Sequence, residues 1–377
     1  MKSNHPDAKR TLGAALPVWT VVALSIGGLL AHSLVPGEIV SGITREWEAR
    51  APEADIRGGV VDGRAAAAVD DAIESHHPFR EAAVPFVAAV RYSLFRQGND
   101  GVVVGREGRL FTSEELIWDR DDPDRLANRL DYIIAVDRRL DSLGVDLLVL
   151  IVPSKARIDS ESLPRRLRGS ADHPRYRRAH EELRRVGVTV VDPSEQLRSE
   201  HFFARDTHWT PEGSGIASAA VAGAFPSATS GDTEFELREQ PVELLVGDLM
   251  NFVPVGRLSA LLGLAPETFR PVVSALLEGT AGAGDLFATP EIPVALVGTS
   301  YSADRRWSFV DQLRRHLGAD VLEVSQAGSG PFVPMDAYLR SETFEEIPPQ
   351  AVVWEIPERY LTLPDTLVPP GVASDDA

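Results

Sequence analysis

The sequence predicts an α/β fold: a doubly wound, mostly parallel sheet flanked by helices. Three observations carry that prediction. Residues 145–152 form a short apolar run bounded by Gly144 and Pro153, the pattern of a strand buried on both faces of a parallel sheet. A helical segment at about 174–186 leads to a second short run at 188–191. Strand, helix, strand at that spacing predicts a βαβ crossover. Further short runs at 292–297, 320–324 and 351–354 extend the sheet.

Size and composition agree with this. A chain of 377 residues suits one large or two ordinary domains. Its 44% hydrophobic and 25% charged residues are those of a globular protein. The formal net charge of −18 argues against nucleic acid as a partner. The absence of cysteine excludes disulfides, thiolate chemistry and Cys-based zinc sites.

Taken in order, the chain opens with Lys2, Lys9 and Arg10, followed by an uncharged apolar run at about 12–35. Roughly 20 apolar residues suffice to cross a bilayer, and the basic flank favours an N-terminus kept in the cytoplasm. The run reads as a signal anchor with everything after about Gly37 outside the cytoplasm; a cleaved signal peptide is the alternative. A charged juxtamembrane segment and a Gly-rich linker follow. Residues 78–95 carry helical spacing, and 101–111 read as a β-hairpin with a Gly-containing turn. At 124–142, Leu126, Leu130, Ile133, Ile134 and Leu140 share one helical face.

The expected organisation is a cytoplasmic tip and transmembrane anchor at 1–36 and a juxtamembrane linker at 37–78. A catalytic domain at 79–368 follows, with an insertion at about 227–287 that matches no βα alternation and borders the site, and a disordered tail at 369–377.

Two motifs carry chemistry. In Asp206-Thr207-His208-Trp209-Thr210-Pro211, an acid and an imidazole stand two residues apart. In extended backbone such side chains share a face, so Asp206 can orient His208 as the acid–base half of a nucleophilic triad. Thr210 is the expected N-cap of a helix to about residue 225, with Pro211 at its first position. A salt-bridged surface histidine and a metal pair are the other readings; no H-E-x-x-H spacing supports a metal.

Without cysteine, the nucleophile is a serine or threonine. Ser300, in Gly298-Thr299-Ser300-Tyr301-Ser302, lies at an expected strand-to-helix turn, with Ser302 as fallback. Backbone N–H groups at such a turn suit a developing oxyanion, and Thr299 and Tyr301 flank the serine. The sequence is not G-x-S-x-G, so this is not the α/β-hydrolase elbow. Gln326 and the Gly328 N–H, in a Gly-rich loop at the same sheet edge, are candidates for a second oxyanion donor. Lys155 and Arg359, just beyond strand ends, are candidate substrate contacts; a surface loop lysine is the plainer reading of Lys155.

These segments, with Val152-Pro153-Ser154-Lys155, Gly247-Asp248-Leu249 and Trp354-Glu355-Ile356-Pro357-Glu358-Arg359, occur in an order that resembles the AlgJ/AlgX-type alginate O-acetyltransferase family. The resemblance spans about 79–361. It implies an SGNH-hydrolase-like domain with Ser300, His208 and Asp206 as the triad. The acid–base pair precedes the serine, as in a circularly permuted version of that fold. The chain ends soon after its last expected strand, which favours the membrane-anchored AlgJ-like form over one with a C-terminal carbohydrate-binding module.

The implied function is extracytoplasmic acetyl transfer to an exopolysaccharide through an acetyl-serine. The donor would be a membrane-bound acyltransferase partner, and no cofactor is expected. A carbohydrate acetylesterase with the same triad and a non-catalytic polysaccharide-binding or assembly protein are the rivals. Alginate is a polyanion that a charge of −18 repels at long range. Arg305, Arg306, Arg359 and Lys155 are expected to offset this locally, and a neutral, cellulose-like polymer fits the charge equally.

Overall fold

The structure, a computed structural model, describes residues 80–225, 233–277, 293–364 and 366–369. The expected anchor, the linker and the tail beyond residue 369 lie outside these. Among the described residues no helix is long and apolar enough to cross a membrane.

The described residues fall in two compact units. The first contains residues 80–95 and 254–258. Its helix, Arg80–Val90, has Pro85 inside it and passes into a π-helical turn at Arg91–Phe95.

The second unit holds the rest. It opens with an antiparallel hairpin, β1 (Val102–Val104) and β2 (Leu110–Thr112). The long amphipathic helix α1 (Asp122–Ser142) leads into β3 (Asp146–Val152). A single turn, α2 (Lys155–Ile158), and helix α3 (Arg175–Arg185) precede β4 (Thr189–Val191). Helix α4 (Pro211–Ala224) follows the Asp206–His208 segment.

After two small antiparallel pairs, β5 (Phe235–Glu239) with β8 (Val272–Leu276) and β6 (Glu243–Leu245) with β7 (Glu267–Phe269), the main sheet resumes with β9 (Val294–Val297). Then come α5 (Ser300–Ala303), α6 (Phe309–Leu317), β10 (Val321–Glu323), α7 (Phe332–Leu339) and β11 (Ala351–Pro357).

The main sheet has the order β10-β9-β11-β3-β4, and every pairing is parallel. Counted from β9, this is the 2-1-3-4-5 order of flavodoxin-like sheets, with the chain opened between the third and fourth strands. The expected circular permutation is therefore a property of the topology. Its consequence is that the base-bearing segment follows β4 while the serine follows β9.

Side chains alternate along the strands between two cores. Val149, Ile151, Val352, Trp354 and Ile356 pack with α1, α3 and α7. Leu148, Leu150, Leu296 and Val353 pack with α4 and α6. This two-sided burial is why the strands read as apolar runs rather than as alternating ones. Within the segment expected to be an insertion, the described strands pair antiparallel, with 3-10 turns between β6 and β7. The segment docks on α6, where Asp311 Oδ1 accepts from the N–H and hydroxyl of Ser274.

Candidate active site

The Asp206–His208 segment is a short loop closed at its base. Phe202 and Trp209 form an isolated antiparallel bridge, and the Phe203 N–H donates to the His208 carbonyl at 3.2 Å. Within it the backbone is bent, which corrects the extended conformation expected from the i, i+2 spacing. The two side chains meet because the His208 N–H donates to Asp206 Oδ1 at 2.9 Å, an Asx-turn in which the carboxylate replaces a backbone acceptor. The same oxygen lies 2.6 Å from His208 Nδ1. Thr210 caps α4 as expected, accepting from the Gly213 N–H at 3.2 Å.

The serine is presented from the other side of the sheet's switch region. β11 outruns β9: Trp354 pairs with Val297, and the next residue, Glu355, stands level with Gly298. The Glu355 carboxylate accepts from the Thr299 N–H at 2.7 Å and from the Thr299 and Ser302 hydroxyls. A Cβ on Gly298 would lie 2.5 Å from Glu355 Oε2, so only glycine lets the carboxylate sit under the turn. Burial pushes the Glu355 carboxyl up, which the hydrogen bonds oppose.

On this support Ser300 begins α5, capped by Thr299, and its Oγ lies 2.8 Å from His208 Nε2. The helical segment after the turn is interrupted: α5 is one turn, Ser308 has φ of 63°, and α6 starts at Phe309.

The two motifs also grip each other. The Tyr301 hydroxyl donates to the Thr207 carbonyl at 2.6 Å, and Trp209 Nε1–H donates to the Tyr301 carbonyl at 3.1 Å. The His208 imidazole lies between two rings, stacked on Trp307 at 5.2 Å and 22° and tilted against Tyr301 at 4.7 Å.

The loop is held from the insertion. Asp206 Oδ2 accepts from the Asp248 N–H, and the Asp248 carboxylate accepts from the Thr207 N–H and hydroxyl at 2.9 and 2.6 Å. A Cβ on Gly247 would stand 2.0 Å from the Arg205 carbonyl oxygen, so the two backbones touch. Glu267 accepts from the Ala204 and Arg205 N–H groups at 2.7 and 2.9 Å.

Burial alone would raise the Asp206 carboxyl. The His208 hydrogen bond and charge, with the Asp248 and His208 N–H groups, outweigh it and hold Asp206 below the ordinary carboxylate range. Burial, with the neighbouring Asp206 charge, pushes Asp248 up. Of the two carboxyls, the one that touches the imidazole is therefore the more acidic.

Asp206, His208 and Asp248 offer ligand atoms within 4.8 Å of one another. However, both oxygens of each carboxylate already accept from N–H or O–H donors, which occupy the approach a cation would use.

The remaining candidates divide. Lys155 is 1% exposed, and its Nζ donates to the carbonyls of Leu110, Ala204 and Asp206 at 2.6, 2.9 and 3.0 Å. An ammonium has three donors, so none remains for substrate: Lys155 holds the hairpin to the base loop. Burial, with Arg109 adding, lowers its pKa to about 7.

Arg359 is buried over the Tyr301 and Tyr360 rings and paired with Glu114 at 3.1 Å. Thr299 and Ser302 are spent on Glu355, and the Tyr301 ring and hydroxyl are buried in the motif contact. Gln326 and Gly328 are exposed, with the Gln326 N–H donating to the Gly298 carbonyl. The Ser300 N–H has no acceptor among the described residues.

The local cations expected to offset the acidic charge do not do so. Arg305 pairs with Glu323 and Arg306 with Asp304; Lys155 and Arg359 are buried. Glu355, Trp307 and the role of Asp248 escaped the sequence reading. Glu355 and Asp248 stood in motif segments that carry no relay residue, and Trp307 stood in none.

Comparison with known proteins agrees with this architecture. Residues 102–358 match the family described as SGNH hydrolase-like domain, acetyltransferase AlgX. The probable alginate O-acetylase AlgJ of Pseudomonas putida is 36% identical over 317 residues, 82% of each chain. That of Pseudomonas aeruginosa is 32% identical over 323 residues, again 82% of each. The solved O-acetyltransferase domain of Pseudomonas putida AlgJ superposes with a TM-score of 0.62 at 33% identity, covering 71% of this chain and 94% of that one. On this evidence of sequence and fold, the chain belongs to the AlgJ/AlgX family of SGNH hydrolase-like acetyltransferase domains.

Proposed function

We propose that this protein is an extracytoplasmic O-acetyltransferase that moves acetyl groups to hydroxyls of an exopolysaccharide of the alginate type, through an acetyl-serine at Ser300. The observation that carries this reading is the unbroken relay from Ser300 Oγ through His208 to Asp206, with gaps of 2.8 and 2.6 Å. The alginate O-acetylases to which the chain is similar support the substrate class.

His208 Nε2 takes the Ser300 proton as Oγ attacks the acetyl carbonyl carbon of the donor. Asp206, ionised, holds the Nδ1 proton and stabilises the imidazolium. The Ser300 N–H faces the oxyanion of the tetrahedral intermediate. Collapse expels the donor's oxygen, which takes the proton from His208 and leaves acetyl-Ser300. A sugar hydroxyl then gives its proton to His208 and attacks the acetyl carbon, and Ser300 recovers its proton as the acetylated sugar departs.

In this reading the donor is a membrane-bound acyltransferase partner. The 12–35 segment anchors the chain in the inner membrane, and the catalytic domain lies in the periplasm. The uncharged run behind Lys2, Lys9 and Arg10 supports that placement.

The test is exposure to an activated acetyl ester followed by mass spectrometry. The label is expected on Ser300 and transferable to an oligouronate acceptor. A label on Ser302, or turnover that survives Ser300→Ala, overturns the assignment. Hydrolysis without any transfer would make the protein an esterase. Reporter fusions at Ser33 and Ala377 are both expected to report an exported location.

A further inference from the structure

Outside the triad, the second unit has a cavity of about 200 Å³ at the N-terminal end of α1. Trp118 and His173 form part of its wall, with ring centroids 5.7 Å apart. Trp118 is 57% exposed, unlike the other tryptophans among the described residues, all of which are buried. A large aromatic left facing solvent beside a cavity is more informative than a lone exposed aliphatic side chain.

Asp122 also lines the cavity and is buried, yet its Oδ2 has no hydrogen-bond partner. The His173 Nε2 is 3.9 Å away, too far for a hydrogen bond. The other carboxylate oxygen, Oδ1, accepts from Arg125 at 2.5 Å, which leaves Oδ2 open to a donor from outside the chain.

Arg120 and Arg178 line the same cavity, and neither has an acidic partner among the described residues. Asp119, which also lines it, is engaged by Arg125.

We propose that this cavity is a subsite for one uronate residue of the polysaccharide acceptor, with Trp118 stacked on the sugar ring, Asp122 accepting from a hydroxyl, and Arg120 and Arg178 facing the carboxylate. The proposal rests on the acetyltransferase reading for its link to the acceptor, but not for the binding itself.

The volume favours a single ring, being below the ~300–1,000 Å³ of pockets that enclose drug-sized ligands. The chemistry selects the class. The open acceptor wants a hydroxyl, the guanidinium groups want a planar carboxylate, and the exposed indole wants an apolar ring face.

The cavity also lies on the catalytic edge of the sheet. The segment bearing Trp118 carries Glu114, paired with Arg359, and Glu115, which accepts from the Lys155 and Ala156 N–H groups. Arg120 and Arg178 here supply a bound polyuronate with the local positive contact that the paired arginines near Ser300 do not.

The experiment is calorimetric titration of the full chain with an alginate-derived tetrauronate, alongside cellotetraose. The wild type and Ser300→Ala are expected to bind the tetrauronate alike. Trp118→Ala and Arg178→Ala are each expected to weaken it about tenfold or more, to raise acceptor KM with kcat unchanged, and to leave turnover of a small acetyl ester intact. Cellotetraose is expected to bind at least tenfold more weakly than the tetrauronate.

Absence of tetrauronate binding, or variants that titrate like the wild type, overturns the subsite. Cellotetraose binding equally well with the same dependence on Trp118 overturns the uronate class. If Trp118-dependent binding is present but no acetyl reaches the sugar, the acetyltransferase reading fails and the subsite stands. If acetyl transfer proceeds with a KM indifferent to Trp118→Ala, the reverse holds.

Discussion

The base loop and the serine turn meet through the His208–Ser300 hydrogen bond and the Tyr301 and Trp209 contacts but are supported in opposite ways. The serine turn rests on the core: a single buried carboxylate, Glu355 of the central strand β11, holds the Thr299 N–H and the Thr299 and Ser302 hydroxyls. The base loop has no such footing. Its backbone N–H and carbonyl groups are satisfied by Asp248 and Glu267 from the insertion and by Lys155 from the end of β3. Ser300 is thus placed by the same packing that stabilises the sheet, whereas His208 is placed by hydrogen bonds from segments outside the relay. Damage to the first should appear as lost stability; damage to the second, as lost rate.

The strongest way to break this comparison is at the junction itself. Asp206→Asn and His208→Ala are each expected to lower acetyl-ester turnover by on the order of 10⁴. The double variant should lie near the same floor, because members of a triad act as a unit. Single losses that simply multiply in the double variant would mean that the two residues do not act together. Circular dichroism should show all three folded.

Next is the outside support of the loop. Asp248→Ala strips the Thr207 N–H and hydroxyl of their acceptor without touching the triad. A displacement of about 1 Å in a catalytic group costs ~10²-fold, so kcat is expected to fall by roughly that factor with little change in melting temperature. Asp248→Asn, which keeps an acceptor oxygen, should recover most of the rate. An Asp248→Ala variant with full kcat would show that the base loop stands by itself.

The serine turn should answer differently. Glu355→Ala strands buried donors, at roughly 1–3 kcal/mol for each, and is expected to lower the melting temperature before it lowers the rate per folded molecule. Glu355→Gln keeps the acceptor and removes the charge. Because burial raises the folded-state pKa of Glu355 above the ordinary 4.5, its contribution is fully present below that value. It is lost as pH rises through the folded value. The Gln variant should therefore gain on the wild type in melting temperature between pH 4 and pH 8, and a constant difference would contradict the raised pKa.

The smallest effect is expected from Ser302→Ala. It removes one of the hydroxyls on Glu355 and should leave turnover within a few-fold of wild type.

Much of this was legible in the chain. The strands of a parallel sheet are buried on both faces, so 145–152 and 292–297 announced themselves by composition. The Thr210-Pro211 start of α4 follows from capping rules that act over a few residues. The relay residues were legible too, because an acid and an imidazole two positions apart, with a serine after an apolar strand, are local patterns. The extended backbone assumed for Asp206 and His208 was not right, since spacing does not reveal that the carboxylate would bind the His208 N–H and bend the chain.

What the sequence by itself determined is whatever depends on neighbours within a turn or a strand: the elements, the caps and the identity of the three relay residues. Tertiary structure alone decided that Lys155 and Arg359 are buried supports and not substrate contacts, because burial depends on what packs over a residue from elsewhere in the chain. It also decided that Asp248 holds the base loop and that Glu355 holds the serine turn. These partners lie 41 and 56 residues from the groups they hold, and no local energy term links such positions. Only the close approach of folded backbones, allowed by Gly247 and Gly298 where any Cβ would collide, brings the carboxylates to donors that would otherwise be stranded in the interior.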